Sequence, residues 1–257
     1  MISPLAYIDP SAKIGNNVEI GPFCYIDKDV EIGDNCTLMH SVSVMEGTRM
    51  GSGNTVFPGA ILGAIPQDLK FVGEKTTLII GDNNRIRENV TMNRGTASKG
   101  TTIVGSNNLF MESMHIAHDC VIGSHCIIGN GTKFGGEVVV DDYATISANV
   151  LVHQFCHIGG YVMVQGGSGI SKDIPPFVVA GRNPVCYEGI NIVRLKRMNF
   201  SQEDVFTIHN AYRMLYNSGL NTTMALAEIK KDAIAQNRYV SYIISFIEGA
   251  TRGIIRD

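Results

Sequence analysis

The stretch Ile116-Ala117-His118-Asp119-Cys120-Val121-Ile122-Gly123-Ser124-His125-Cys126-Ile127-Ile128-Gly129 carries an isoleucine at positions 116, 122 and 128, with a cysteine four residues after each of the first two. The same six-residue period takes in Ile2, Ile8, Ile14, Ile20, Ile26, Ile32, Leu38, Val44, Met50, Val56 and Leu62. It resumes at Ile80, Ile86 and Met92, and runs again from Val104 to Ile170. An amphipathic helix repeats near 3.6 residues and a half-buried strand repeats every two, so neither produces this pattern. A sustained period of six predicts a parallel solenoid of short strands and turns. Glycine often follows the ladder residue, as at Gly15, Gly21, Gly33, Gly81, Gly123 and Gly159, where it lets the chain turn tightly. Five of the six cysteines, Cys24, Cys36, Cys120, Cys126 and Cys156, share the slot four residues past the ladder. They read as small buried apolar side chains rather than disulfides or metal ligands.

The chain has 257 residues and a formal net charge of −3. It has no polybasic run, so the general basic field of a nucleic-acid binder is excluded. The first residues lack a charged segment leading into an apolar one, and no apolar run approaches the roughly 18 residues of a membrane span. A cytoplasmic protein with no membrane span and no nucleic-acid partner is expected.

The repeat resembles the hexapeptide repeat of left-handed parallel β-helices, in which three units form one triangular coil. The resemblance supplies the hand, because the usual crossover rule favours the opposite one. The expected fold is mainly β: a left-handed parallel β-helix of hexapeptide repeats over residues 1–186, followed by a small α-helical C-terminal domain over 187–257. Coils stack at about 4.8 Å, the ordinary interstrand spacing. The ladder fails at Asp68, Glu74 and Ser98, which predicts loop excursions at about 67–79 and 98–103. Loops leaving a rigid scaffold are common homes for substrate contacts.

Beyond Pro175-Pro176 the pattern becomes helical from about Asn191. Ser201 with Asp204 forms an N-cap signature, and Gly219 marks a stop. A second helix is predicted from Thr222 or Thr223 through Ile234, and a third through Val240, Ile243, Ile244 and Ile247 to Gly249. Residues 1–186 carry a net charge of −5 and residues 187–257 a net charge of +2, with Arg194, Lys196, Arg197 and Arg213 near the start of the helical part. Such a cluster would draw an acidic protein or a diphosphate.

Chemistry is concentrated in His115-Ile116-Ala117-His118-Asp119. A neutral imidazole takes a proton from a hydroxyl near neutral pH, and an adjacent carboxylate fixes its tautomer. In an eighteen-residue coil His118, Gly136 and Gln154 fall in one column, with Asp119 over Glu137 and His153 over the neighbouring corner. A base with a bare backbone N–H one coil away suits acyl transfer, in which an oxyanion develops.

The strings Gln67-Asp68-Leu69-Lys70, Arg85-Ile86-Arg87-Glu88, Asn93-Arg94-Gly95-Thr96, His115 to Cys120, Val152-His153-Gln154-Phe155-Cys156 and Gly189-Ile190-Asn191-Ile192 occur in the order and spacing of one family. Together they resemble the acyl-[acyl-carrier-protein]–UDP-N-acetylglucosamine O-acyltransferases, which open lipid A biosynthesis, over essentially the whole chain. The resemblance implies His118 as general base, Asp119 as its carboxylate and Gly136 as oxyanion donor. It implies sugar, phosphate and acyl contacts from Gln67, Asp68, Lys70, His115, His153 and Gln154, and Glu137, next to Gly136, is a further substrate-binding candidate. Asn191 and Arg197 match nucleotide-binding positions, and Gly166 a position that limits acyl-chain length. It further implies an (R)-3-hydroxyacyl thioester on acyl carrier protein as donor, UDP-N-acetylglucosamine as acceptor, a homotrimer, and neither cofactor nor metal.

This chain departs from the family at three positions. Glu137 stands where a histidine is usual, Val193 where a glutamate is usual, and Met198 where a second arginine is usual. The departures bear on sugar and uridine recognition, and a carboxylate at 137 leaves a 3-amino UDP-sugar acceptor as an alternative. Two further readings are a zinc lyase resembling the γ-class carbonic anhydrases and a non-catalytic sugar-nucleotide-binding β-helix. The zinc site needs three converging imidazoles; Gln154 stands two coils from His118, and the spacing of His153 and His157 differs from that family's.

Overall fold

A computed structural model describes residues 1–256. Twenty-five of its short strands, from Tyr7–Ile8 to Gly169–Ile170, follow one another around a three-sided prism. They build the faces as sheets of nine, eight and ten strands, the last completed by two strands that follow. Each strand pairs in parallel with the one a full coil away, as Lys13 with Glu31 and His115 with Lys133, so eighteen residues make one coil. The ladder residues point inward: Ile26, Val44, Leu62, Ile86, Ile116 and Ile146 are fully buried. The sulfur-bearing slot is buried as well, with Cys36, Cys120, Cys126 and Cys156 inaccessible and all six thiols free. Burial pushes the Cys120 thiol up to about 12, which leaves it unreactive.

Both excursions occur, displaced from the expected bounds. Residues 77–79 and 101–103 belong to the strands Thr77–Ile80 and Thr101–Val104, which pair over their whole length. The irregular segments are 65–76 and 94–100. Thr77, Leu78, Thr101 and Thr102 follow the alternating pattern of a strand before the ladder residue returns, so the chain rejoins the sheet early. Pairing partners lie thirty residues apart across the first loop, Ile61 with Thr91, and twenty-four across the second, Thr77 with Thr101. Both insertions are whole multiples of six, which preserves the inward phase.

Each loop leaves after a strand of the nine-stranded sheet, Ile61–Ala64 or Thr91–Asn93, and returns to a strand of the eight-stranded sheet. Residues 117–120 turn the same corner one coil later. The loops therefore overhang the edge of the prism that carries His118.

The β structure extends past residue 186. Val178–Gly181 adds in parallel to the ten-stranded sheet, and Cys186–Ile190 pairs antiparallel with it, closing that end. The expected boundary at 186/187 thus falls inside the closing hairpin. Helices α1 (Ile192–Arg197), α2 (Gln202–Tyr216), α3 (Thr222–Lys231) and α4 (Arg238–Gly249) follow. The Ser201 hydroxyl accepts from the Asp204 N–H at 3.0 Å, the predicted cap. Helix α3 ends earlier than predicted, because Asp232 is extended and starts the 3₁₀ turn Ala233–Gln236 by accepting from the Ile234 N–H. Tyr212, wholly buried in α2, donates to the Pro176 carbonyl at 2.5 Å and ties the helices to the prism.

Candidate active site

His118 occupies the corner between the strands His115–Ile116 and Val121–Ile122. Its Nδ1 lies 2.9 Å from Asp119 Oδ2, and the two side chains are 18% and 0% exposed. Asp119 has a positive φ of 59°, the left-handed conformation that Asp tolerates better than most residues. Its own N–H donates to Thr102 Oγ1 at 2.8 Å. The carboxylate accepts the Thr96 N–H at 3.0 and 3.1 Å and the Thr96 hydroxyl at 2.5 Å. Burial alone pushes the Asp119 carboxyl up, but the Thr96 hydroxyl, the His118 imidazole and the Thr96 amide together hold it below the usual carboxylate value. An ionised Asp119 fixes a proton on Nδ1 and leaves Nε2 as the basic nitrogen.

Gly136 lies one coil beneath, and the imidazole rests on its bare Cα. A Cβ built there would sit 2.5 Å from His118 Cε1 and 2.6 Å from Nε2. Only glycine admits the ring in this position. Among the described residues the Gly136 N–H has no hydrogen-bond acceptor.

A cleft of about 600 Å³ opens on this edge. It is lined by Gln67, Asp68, Lys70, His118, Glu137 and Gln154 of the expected set, together with Leu69, Glu74, Thr96, Ala97, Ser98 and Phe155. Its two loops are joined to each other and to the prism. Glu74 Oε1 accepts the Ala97 N–H at 3.0 Å, the Asn93 amide donates to the Ile65 carbonyl at 2.9 Å, and the Arg94 guanidinium lies over the Phe71 ring at 5.6 Å. These contacts tie the two loops to each other and to the strand Thr91–Asn93.

The remaining expected residues lie outside the cleft. His115 is half-buried three residues before His118, with Nδ1 2.7 Å from Thr91 Oγ1. Burial, with nearby Lys133 adding to it, holds the His115 pKa below the usual histidine value. His153 is exposed beside Gln154, and exposed Gly166 sits on a different edge of the prism. Asn191 is engaged otherwise than expected. Its side chain accepts the Arg194 N–H at 3.2 Å as the cap of α1 and donates to the Tyr161 carbonyl at 2.9 Å, and the residue is 7% exposed. Arg197 is exposed in α1. Among the described residues no group of three or more His, Cys, Asp or Glu side chains is arranged to hold a metal ion.

Thr96, Ser98 and Glu74 also line the cleft, outside the set that the sequence points to. The Asn93-Arg94-Gly95-Thr96 string pointed to the region without naming a role, since a loop of unknown path gives no column to read.

A parallel β-helix of six-residue units, with a carboxylate-held imidazole over a glycine on one edge, defines a hexapeptide-repeat acyltransferase. Residues 101–136 match the bacterial transferase hexapeptide model, and residues 2–107 match the model of the GMPPB C-terminal domain. Residues 173–255 match the second domain of Udp N-acetylglucosamine O-acyltransferase. Among solved structures, LpxA, a UDP-N-acetylglucosamine acyltransferase from Bacteroides fragilis 9343, is 60% identical over 100% of both chains with a TM-score of 0.98. The Francisella novicida UDP-N-acetylglucosamine acyltransferase is 38% identical over 100% of this chain and 94% of that one, with a TM-score of 0.97. The Arabidopsis UDP-N-acetylglucosamine acyltransferase is 32% identical over 100% of both, with a TM-score of 0.89. The chain belongs to the UDP-N-acetylglucosamine O-acyltransferase family.

Proposed function

We propose that this enzyme transfers an (R)-3-hydroxyacyl group from acyl carrier protein to the 3-hydroxyl of UDP-N-acetylglucosamine, the first step of lipid A biosynthesis. The observation that carries the mechanism is the His118 ring, bonded through Nδ1 to buried Asp119 and open at Nε2 in the cleft. Nε2 takes the proton of the sugar hydroxyl as its oxygen attacks the thioester carbonyl. The negative charge passes to the carbonyl oxygen, to which the unpaired Gly136 N–H of the same column is offered as donor. Collapse breaks the C–S bond, and the imidazolium returns its proton to the departing thiolate. Asp119 stabilises the imidazolium throughout without accepting the proton itself.

Gln67, Asp68, Lys70 and Gln154 line the same cleft and are suited to hold the sugar and its diphosphate, Lys70 as the cation. The Glu137 carboxylate already faces Ser98 and Lys99, which favours a neutral hydroxyl acceptor over the 3-amino one. His115, His153, Gly166, Asn191 and Arg197 do not line this chain's own cleft, so their proposed substrate contacts require a neighbouring subunit or an extended acyl path. A homotrimer satisfies this. The outward positions of the eight-stranded sheet run Lys13, Glu31, Arg49, Ile79, Ile103, Val121, Val139, His157, an apolar band between polar ends that suits packing against a second copy. No helix of the described residues is long and apolar enough to cross a membrane, consistent with a cytoplasmic enzyme.

The test is incubation with UDP-N-acetylglucosamine and (R)-3-hydroxyacyl carrier proteins of graded chain length, with products read by mass. Transfer to the 3-oxygen is expected, and loss of the general base in His118→Ala lowers turnover by about 10² to 10⁴. Wild-type turnover in folded His118→Ala would remove the base assignment. Transfer only to a 3-amino acceptor would move the acceptor assignment.

A further inference from the structure

Among its lining residues the cleft has more acid than base: Asp68, Glu74 and Glu137 against Lys70. Asp68 and Glu74 are occupied within the overhang, since Asp68 Oδ1 accepts the Lys70 N–H at 3.0 Å and the two Glu74 oxygens accept from Val72 and Ala97. Glu137 is different. It follows Gly136 directly, its N–H donates to the His118 carbonyl at 3.0 Å, and its side chain is only 20% exposed. Its charge therefore stands beside the base and faces the space an incoming substrate occupies. Both oxygens are met from residues 94–100: Ser98 Oγ donates to Oε1 at 3.0 Å, and Lys99 Nζ lies 3.5 Å from Oε2.

We propose that Lys99, with Ser98 holding the other carboxylate oxygen, neutralises Glu137 so that the cleft accepts a nucleoside diphosphate. Lys99 is a positioning residue here, acting on the substrate through Glu137 rather than by touching it. This rests on the acceptor being a diphosphate-linked sugar, as proposed above. The second loop thus has two functions on either side of the base. Thr96 secures the carboxylate that assists His118, and Lys99 silences the one that would repel its substrate. Like charges brought together in a partly desolvated site oppose binding strongly, and an ion pair at the rim removes that cost before the ligand arrives.

The experiment compares wild type, Lys99→Met, Lys99→Arg and the double variant Lys99→Met/Glu137→Gln. The readouts are UDP-N-acetylglucosamine binding by calorimetry and steady-state transfer. Lys99→Met is expected to weaken binding and raise KM about tenfold, while kcat changes by less than about threefold, the pattern of a lost ground-state contribution. Lys99→Arg restores affinity, and the double variant recovers most of what Lys99→Met loses, because the charge needing neutralisation is gone. Unchanged affinity in Lys99→Met overturns the proposal. So does a double variant no better than Lys99→Met, since Lys99 would then act on the ligand directly. If wild type neither binds nor acylates UDP-N-acetylglucosamine, the proposed function itself fails, a result separable from the other two.

Discussion

Gly136→Ala tests the geometry of the base with one methyl group. Gly136 is absent from the residues of positive φ, so alanine fits its backbone, and the backbone N–H is retained. The added Cβ would stand 2.5 Å from Cε1 and 2.6 Å from Nε2 of His118. Carbon–carbon contacts are comfortable at about 3.5 Å, so the ring must withdraw by about 1 Å. Its Nδ1 is anchored 2.9 Å from Asp119, whose carboxylate is itself fixed by Thr96. The displacement therefore stretches that bond or swings Nε2 away from the sugar hydroxyl. A misplacement of about 1 Å costs on the order of 10²-fold in rate, and kcat for acyl transfer should fall by that amount. Steady-state assays with UDP-N-acetylglucosamine and a preferred acyl carrier protein would read it, alongside thermal unfolding to show that the prism persists. If the folded variant kept kcat within about threefold of wild type, the ring would not need the bare Cα and this account of Gly136 would be wrong.

Two other outcomes follow from the same contacts. Thr96→Val keeps the loop amide but removes the hydroxyl that donates to Asp119 Oδ2; hydrogen bonds to a charged group contribute about 1.5–3 kcal/mol, so denaturant unfolding should show a loss near that size together with reduced kcat. Thr96→Ser should recover most of both, and a Thr96→Val protein as stable as wild type would contradict the assigned bond. For His115, the folded pKa lies below the usual value because of burial and Lys133. The folded state then binds fewer protons than the unfolded one, so this contribution is present above about 6.5 and is lost as pH falls through the depressed folded value. His115→Asn should flatten that part of the stability–pH curve, and an unaltered slope would refute it.

The prism was legible because its rule is local and endlessly repeated. Each ladder residue needs only to be apolar and in phase, so the inward side chains from Ile14 to Ile170 could be named without knowing any contact. The same regularity brought His118, Gly136 and Gln154 together, since eighteen residues of chain return to the same corner. That arithmetic stops at the loops. Residues 65–76 and 94–100 leave the register, so no offset predicts that Thr96 reaches Asp119, Ser98 reaches Glu137, or Glu74 joins the two loops. Asn191 exposes a second limit: a side chain able to bind a nucleotide is equally able to cap a helix, and here the cap at Arg194 and the bond to Tyr161 hold it. Gly136 shows a third. Sequence points to the N–H it offers, whereas the structure adds what it lacks, a Cβ, so one residue leaves a free N–H and makes room for the His118 ring. In the proposed mechanism the stacked column makes both roles depend on one another: moving the ring far enough to admit a side chain at 136 also moves Nε2 away from the donor offered to the developing charge. Base and oxyanion donor are in that mechanism a single element of the prism edge, fixed by Asp119 at the same corner and by Thr96 from the second loop.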